Sequence, residues 1–181
     1  PEKAQYLAMG TFHAQFSKLL RTESAHIGLP SNFTVYDTAD AKNLIKAIVK
    51  EMQLDEKTYK PSVVLSRISS AKNKMVMPQQ YDDAHGRSVD FMMHIPKVKE
   101  IYAEYQRRLR QAGAMDFDDM LCLTNQLFIE HPDVLEKYQN RFQYILVDEY
   151  QDTNYTQYLL LKALAAKHRR ICVVGDDSQS I

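Results

Sequence analysis

The sequence of 181 residues is poor in the residues that interrupt regular structure, with only 5 glycines and 6 prolines. This scarcity indicates a chain that is folded almost throughout. The sequence also lacks any run approaching the roughly 18 consecutive apolar residues that a membrane-spanning helix needs, and its first residues do not resemble a signal peptide. We therefore expect a soluble cytoplasmic protein with no membrane partner.

Cysteine is equally scarce, because only Cys122 and Cys172 occur and they lack the close spacing of metal ligands. Both stand between apolar residues, as buried thiols usually do, so we expect both to be buried. Two unpaired thiols are typical of a reducing compartment, which agrees with a cytoplasmic location.

The chain has no net charge, since 23 Lys and Arg residues balance 23 Asp and Glu residues. No overall field therefore indicates a nucleic-acid partner, and any basic surface must be local. A solvated helix surface is the simpler interpretation of the basic residues in the middle of the chain, and a phosphate-binding surface is the alternative. These residues are Lys72, Lys74, Lys97, Lys99, Arg107, Arg108 and Arg110.

Apolar spacing predicts helices through most of the chain before residue 142. A short strand is predicted at residues 6–9. Residues 73–90 have no apolar periodicity and are predicted to form a mobile loop. Capping residues and prolines place helix starts near Phe12, Asp37 or Thr38, Pro61, Pro96, Asp116 and Pro132, with ends at Gly28 and Gly113.

The last 40 or so residues, from Phe142 onward, have a different pattern, in which two short apolar runs flank one helix. Asn154 and Gln157 form a capping-box pattern at the start of that helix. A strand, a helix and a strand in succession predict parallel strands joined by a right-handed crossover. We expect an α/β fold that is mostly helical overall, in which residues 29–113 form an all-α insertion without strands.

Acidic residues follow both predicted strands, and the carboxyl ends of parallel strands share one edge of a sheet. Asp148 and Glu149 follow the first strand, where one carboxylate can hold Mg²⁺ and the other can orient water. An exposed acidic loop explains the pair equally well. A third interpretation is an unrelated Mg²⁺-dependent phosphohydrolase built on Asp148, Asp152, Asp176 and Asp177.

Four segments carry distinctive strings. They are Gly10-Thr11-Phe12-His13, residues 115–121, residues 148–154 (Asp-Glu-Tyr-Gln-Asp-Thr-Asn) and residues 174–181. In this order they resemble motif Ib, the Asp-Phe-Asp-Asp-Leu segment, motif II and motif III of the UvrD-like (UvrD/Rep/PcrA) superfamily 1 DNA helicases. The resemblance implies an incomplete P-loop NTPase (RecA-like) sheet. It assigns residues 1–28 and 114–181 to motor subdomain 1A and residues 29–113 to inserted subdomain 1B.

The resemblance also implies roles for single residues. Asp148 would engage the Mg²⁺ bound to ATP, and Glu149 would activate the attacking water. Gln179 would sense the γ-phosphate, and Gln151 would belong to the same nucleotide site. Thr11, Phe12 and His13 would contact single-stranded DNA, although Phe12 also fits the apolar face of the following helix.

A cluster of three acidic residues, Asp116, Asp118 and Asp119, could be taken for a second metal site. Capping of the next helix explains these residues with fewer assumptions, since carboxylates at a helix start accept bonds from free amides.

The sequence has no Gly-Lys-Ser/Thr phosphate-binding loop. We expect a segment of a larger helicase that moves 3′ to 5′ on single-stranded DNA, acts at single-strand/duplex junctions, and serves repair or replication. Its partners would include the rest of that helicase chain, and the segment alone would be inactive. The alternative is a catalytically inactive, helicase-like DNA-binding module of a recombination complex.

Overall fold

The computed structural model describes residues 8–148 and 153–175, and this part of the chain is mostly helical. Its helices are α1 (Phe12–Thr22), α2 (Ser24–Ile27), α3 (Thr38–Glu51), α4 (Pro61–Lys72), α5 (Arg87–Met92), α6 (Val98–Gln111), α7 (Phe117–Glu130), α8 (Pro132–Arg141) and α9 (Tyr155–Ala165). Its strands are β1 (Thr34–Tyr36), β2 (Ala114–Asp116), β3 (Ile145–Val147) and β4 (Ile171–Val173).

The helix starts follow from local capping chemistry. The side chains of Asp37, Asp116 and Asn154 each accept a hydrogen bond from the backbone amide three residues further on. The side chain of that later residue in turn accepts a hydrogen bond from the backbone amide of the capping residue. Pro61 and Pro132 occupy first-turn positions of α4 and α8, where a proline costs no hydrogen bond. The capping and proline predictions at these positions are confirmed.

Two hydrophobic clusters form the core. The first cluster packs α3, α4 and α6 together through fully buried residues such as Ile45, Ile68 and Tyr102. The second cluster packs α1, α7, α8 and α9 together through Leu20, Leu121 and Leu160. The two clusters meet where β2 leads into α7, since Ala114 belongs to the first and Met115 to the second.

The strands form two separate parallel pairs within the described residues, β1 with β2 and β3 with β4. The β3–β4 pair confirms the predicted parallel strands around a helix. The absence of strands from residues 29–113 was a wrong prediction, because β1 lies there. β1 has three residues, too few to show the alternating pattern that identifies a strand, and its partner β2 is distant in sequence.

The predicted mobile loop at residues 73–90 is also wrong, because this segment contains two single-turn 3₁₀ helices, Pro78–Gln80 and Asp83–His85, and the start of α5. Tyr81 is fully buried and donates its hydroxyl to buried Asp90. Arg67 Nε lies 2.7 Å from the other carboxylate oxygen of Asp90. Polar anchors rather than apolar periodicity order the segment, so a search for periodicity could not detect it.

Two smaller expectations have different outcomes. Cys122 is buried as expected, but Cys172 is exposed, because β4 has only β3 beside it in the described chain and its side chains remain uncovered. Part of the strand predicted at residues 6–9 lies outside the described residues, and Ala8 and Met9 lie in no strand.

Candidate functional site

The carboxyl ends of β3 and β4 lie side by side. Leu146 is in register with Cys172 and Val147 with Val173. The Val174 amide donates a 2.8 Å hydrogen bond to the Val147 carbonyl, which extends the pairing to the strand ends. Asp148 and Gly175 therefore leave the sheet at one edge, as parallel pairing requires.

Asp148 is exposed at this edge, directly after the buried end of β3. A carboxylate there suits Mg²⁺, which prefers hard oxygen ligands and keeps several of its waters. Glu149, Gln151 and Gln179 lie outside the described residues, as do Asp152, Asp176 and Asp177. Within residues 8–148 and 153–175, no group of three or more His, Cys, Asp and Glu side chains could hold a metal ion.

The chain returns from the acidic segment at Asn154, and α9 is fixed there from both sides. The Asn154 carboxamide oxygen accepts a 2.9 Å bond from the Gln157 amide. Buried Asn125 of α7 donates a 3.0 Å bond to the Thr156 carbonyl. One end of the segment with the predicted catalytic residues is thus tied to the second cluster.

The segment that resembles motif Ib is the start of α1. Gly10 adopts φ of 142°, a conformation that other residues rarely adopt, and leads into Thr11. The Thr11 hydroxyl accepts a 3.2 Å bond from the Ala14 amide and caps the helix. These two residues therefore have a structural role that explains their identity without a ligand.

Phe12 and His13 have different surroundings. Phe12 stacks on Phe16 at 6.0 Å and packs against the second cluster, which fits the core interpretation given above. His13 is half-buried and meets the ring of Phe117 edge-on at 5.6 Å. Thr11 is exposed at the surface. The DNA-binding roles of all three residues stay predictions.

A fully buried lysine, which sequence reasoning missed, joins the two hydrophobic clusters. Lys72, the last residue of α4, places Nζ 2.7 Å from Asp116 Oδ2 and 2.9 Å from Asp119 Oδ1. The Tyr105 hydroxyl of α6 donates a 2.8 Å bond to the same oxygen of Asp116. The end of α4, helix α6, strand β2 and the start of α7 thus converge on one polar centre.

Ion pairs and hydrogen bonds within this centre stabilise its buried charges. Burial alone would lower the pKa of Lys72, but the carboxylates of Asp119 and Asp116 outweigh it and raise that pKa above its usual value. Burial raises the pKa of Asp119 to about 6, and Lys72 only partly offsets this. One cation faces two carboxylates, and burial would raise the pKa of Asp116, but Lys72, the Asp119 amide and the Tyr105 hydroxyl outweigh burial and lower it.

Further bonds connect α4 to α7 beside this centre. The Ser69 hydroxyl donates to Asp118 at 2.7 Å, and the Cys122 thiol lies 3.0 Å from the Lys72 carbonyl. The acidic cluster thus caps α7 through Asp116 and binds α4 through all three carboxylates. The capping interpretation is confirmed for Asp116 and Asp119, which form the capping box, but it did not include the bonds of the three carboxylates to α4.

This geometry corrects the list of basic surface residues. Lys72 is buried and lies on no surface, while Arg107 and Arg108 form ion pairs with Glu104 on the exposed side of α6. A signal for Lys72 was present in the sequence, because it continues the i, i+4, i+8 line of Val64 and Ile68 along the apolar face of α4.

The full length of the chain, residues 1–181, matches the UvrD/REP helicase N-terminal domain. The chain belongs to this family. Among its relatives is an ATP-dependent DNA helicase PcrA of Staphylococcus epidermidis, 44% identical over 99% of this chain and 24% of the relative. An ATP-dependent DNA helicase PcrA of Staphylococcus aureus is 43% identical over the same shares.

The chain spans about a quarter of the length of these relatives. The match to the family model agrees with the four motif resemblances found in the sequence. No helix in the described part of the chain is long and apolar enough to cross a membrane.

Proposed function

We propose that this chain is part of the motor of an ATP-dependent DNA helicase that couples hydrolysis to movement on single-stranded DNA and unwinding at duplex junctions. The observation that carries the proposal is the parallel β3–β4 pair, whose ends lead directly into the two motif segments. Membership of the helicase family supports it. A role in DNA repair or replication is part of the proposal.

The proposed nucleotide site is the edge of the sheet where Asp148 follows β3. Mg²⁺, when bound with ATP, would neutralise phosphate charge, and the Asp148 carboxylate would hold it. Glu149 would orient water as a general base, a role that contributes about 10² to 10⁴-fold to a rate. Gln179 would donate its amide to the terminal phosphate without adding charge, and Gln151 would contact the nucleotide nearby.

We further propose that residues 1–28 and 114–181 belong to a RecA-like P-loop motor subdomain and that residues 29–113 are an inserted subdomain. The two hydrophobic clusters support this division, because the first is built mainly from residues 41–109 and the second from residues on either side of them. The buried Lys72 centre would then join the two subdomains.

The exposed apolar side chains of the β3–β4 pair support a partner in the rest of a longer helicase chain. Leu146 is 73% exposed and Val174 50% exposed. Apolar strands of a parallel sheet are normally covered on both faces. We propose that further strands and helices of the same polypeptide cover them.

The experiment uses the complete protein that contains this segment. Purified protein should hydrolyse ATP, and single-stranded DNA should stimulate the rate. Glu149→Gln should lower kcat at least about 100-fold and leave ATP binding intact, since it removes only the proposed base. Exposed Glu100 of α6, outside both motif segments, supplies the matched control Glu100→Gln, which should keep the full rate.

Three results would contradict the proposal. A Glu149→Gln protein with an unchanged rate would remove the proposed base. A complete wild-type protein that binds DNA without hydrolysing ATP would favour the inactive binding module instead. The 181-residue chain alone should be inactive, so DNA-stimulated hydrolysis by it would also contradict the account.

A further inference from the structure

A cleft of about 480 Å³ lies between the C-terminal half of α4 and the first residue of α9. None of the motif segments described above includes its α4 wall. The side chains around it are Ser66, Ser69, Ser70, Asn73, Lys74 and Tyr155.

The chemistry of this lining favours a phosphodiester strand. The hydroxyls of Ser66 and Ser70 and the carboxamide of Asn73 can donate to phosphate oxygens, while the Ser69 hydroxyl donates to Asp118, and no carboxylate is among the lining residues. Lys74 is exposed and forms no ion pair within residues 8–148 and 153–175. Tyr155 is 53% exposed, so its ring is available to stack on a base.

The α4 wall of the cleft is fixed by the buried centre beneath it. Ser69 donates to Asp118, and Lys72, one turn further along α4, is fully buried against Asp116 and Asp119. The helix ends in a turn at Met75, whose φ is 59°, with the Val76 amide bonded to the Ala71 carbonyl at 2.9 Å. The backbone that carries Ser66, Ser70 and Lys74 is thus already ordered, so that only their side chains lose freedom on binding.

The cleft adjoins the predicted DNA contact at the start of α1. Asp118, which accepts the Ser69 bond, is the neighbour of Phe117, and Phe117 meets His13 edge-on. Phe117 is 44% exposed, so part of its ring is available to a ligand. Contacts through Phe117 and Asp118 therefore connect His13 to Ser69 of the cleft.

We propose that this cleft binds single-stranded DNA, with Lys74 on a backbone phosphate and Tyr155 stacked on a base. The proposal rests on the proposed DNA-binding function and adds a contact site to it. The two residues would bind DNA through different interactions. A phosphate contact by Lys74 releases counterions and weakens as salt increases, whereas stacking of Tyr155 on a base releases none. Salt dependence can therefore separate them.

The test measures fluorescence anisotropy of a labelled oligo(dT) of about 16 nucleotides bound to the complete protein that contains this segment, over a range of salt concentrations. Lys74→Gln should weaken binding and reduce the slope of log K against log salt by about 0.7, the value for one phosphate contact on a single strand. Tyr155→Leu should weaken binding about 5-fold or more and leave the slope unchanged.

Two control variants match these changes at exposed positions that do not line the cleft. Lys46→Gln removes an exposed lysine from α3, and Tyr144→Leu removes a tyrosine that is 76% exposed before β3. Both should bind as the wild type does. Circular dichroism should show the wild-type helix content for all four variants, since each changed side chain is exposed.

A Thr11→Val/His13→Ala variant separates the cleft from the proposed function. If this variant loses binding while Lys74→Gln and Tyr155→Leu keep it, the cleft proposal is wrong and the DNA-binding function stands. If the cleft variants alone lose binding, the cleft is supported and the assignment of Thr11 and His13 is wrong. A complete wild-type protein that does not bind the oligonucleotide at all contradicts both.

Discussion

The buried Lys72 centre forms the joint between α4 and α7. It and the edge of the β3–β4 sheet are opposite in their exposure to solvent. At the joint, a lysine with no exposed area meets two buried carboxylates, and the surrounding tyrosines and helices leave no part of it open. At the sheet edge, Leu146, Val173 and Val174 are all exposed. The joint is covered by residues of this chain, and in its described part the β3–β4 pair is not.

We infer from this difference that one region stabilises the fold and that the other is available to bind ligands. Stability should depend on the joint and on the first hydrophobic cluster, because buried groups there have no alternative partners. The strand ends should contribute little to stability and should matter for the proposed chemistry. The four predictions below test this contrast, from the largest expected change in unfolding free energy to the smallest.

Replacing Lys72 with methionine should be the most damaging single change. It leaves Asp116 and Asp119 buried without their cation, and breaking a buried pair in this way costs about 3–5 kcal/mol. Urea unfolding followed by circular dichroism measures the loss. Lys74→Met is the control, because Lys74 is exposed and lies just after the end of α4. It should change stability by less than about 0.5 kcal/mol.

If Lys72→Met unfolds at the wild-type urea concentration, the joint does not stabilise the fold. Adding Asp119→Asn to Lys72→Met should recover part of the loss, because it removes one uncompensated buried charge.

The second change, Tyr105→Phe, tests the hydrogen bond to the joint alone. It removes the hydroxyl that donates to Asp116 at 2.8 Å and keeps the ring in place. We expect a loss of about 1–3 kcal/mol, because a buried charged acceptor loses a donor. Tyr102→Phe is the matched control, since its hydroxyl donates to the neutral Val76 carbonyl at 2.9 Å, and it should cost less. Equal losses would show that the charge of Asp116 is unimportant.

A third change, Glu104→Gln, removes a surface ion-pair group. Hydrogen bonds from Arg107 and Arg108 lower the pKa of Glu104 to about 2. A lowered pKa in the folded state stabilises the protein above the ordinary pKa of this group, 4.5, and the benefit disappears as pH falls toward about 2. Unfolding at pH 7 should show a loss below about 1 kcal/mol, and the variant and wild type should converge near pH 2. A difference that grows with acidity would contradict this assignment.

The smallest effect is expected at the open sheet. Leu146→Ala removes a side chain that is 73% exposed and should change stability by less than about 0.5 kcal/mol. The same substitution at buried Leu109 of the first cluster should cost about 2–5 kcal/mol. A large loss at Leu146 would mean that the sheet is as closed as the joint, which would remove the contrast.

Much of the fold follows from local signals in the sequence. Asp37, Asp116 and Asn154 are capping residues that act within three residues of themselves, so their helix starts were predictable. The β3–β4 pair was predictable because a strand, a helix and a strand in succession favour one topology.

The parts that sequence reasoning missed depend on distant partners. Lys72 is 44 residues from Asp116, and nothing local distinguishes it from its exposed neighbour Lys74 except its place on the apolar line of α4. Tyr81, Asp90 and Arg67 order a segment without periodicity through polar contacts. β1 is recognisable only through its pairing with β2. The roles predicted for Glu149, Gln151 and Gln179 stay predictions.

The most direct test of the account is a crystal structure of the complete protein with Mg²⁺ and a non-hydrolysable ATP analogue. The account predicts that the Asp148 carboxylate reaches the metal directly or through one water, and that the Gln179 amide lies within hydrogen-bond distance of the terminal phosphate. A nucleotide bound away from the carboxyl ends of β3 and β4 would contradict it.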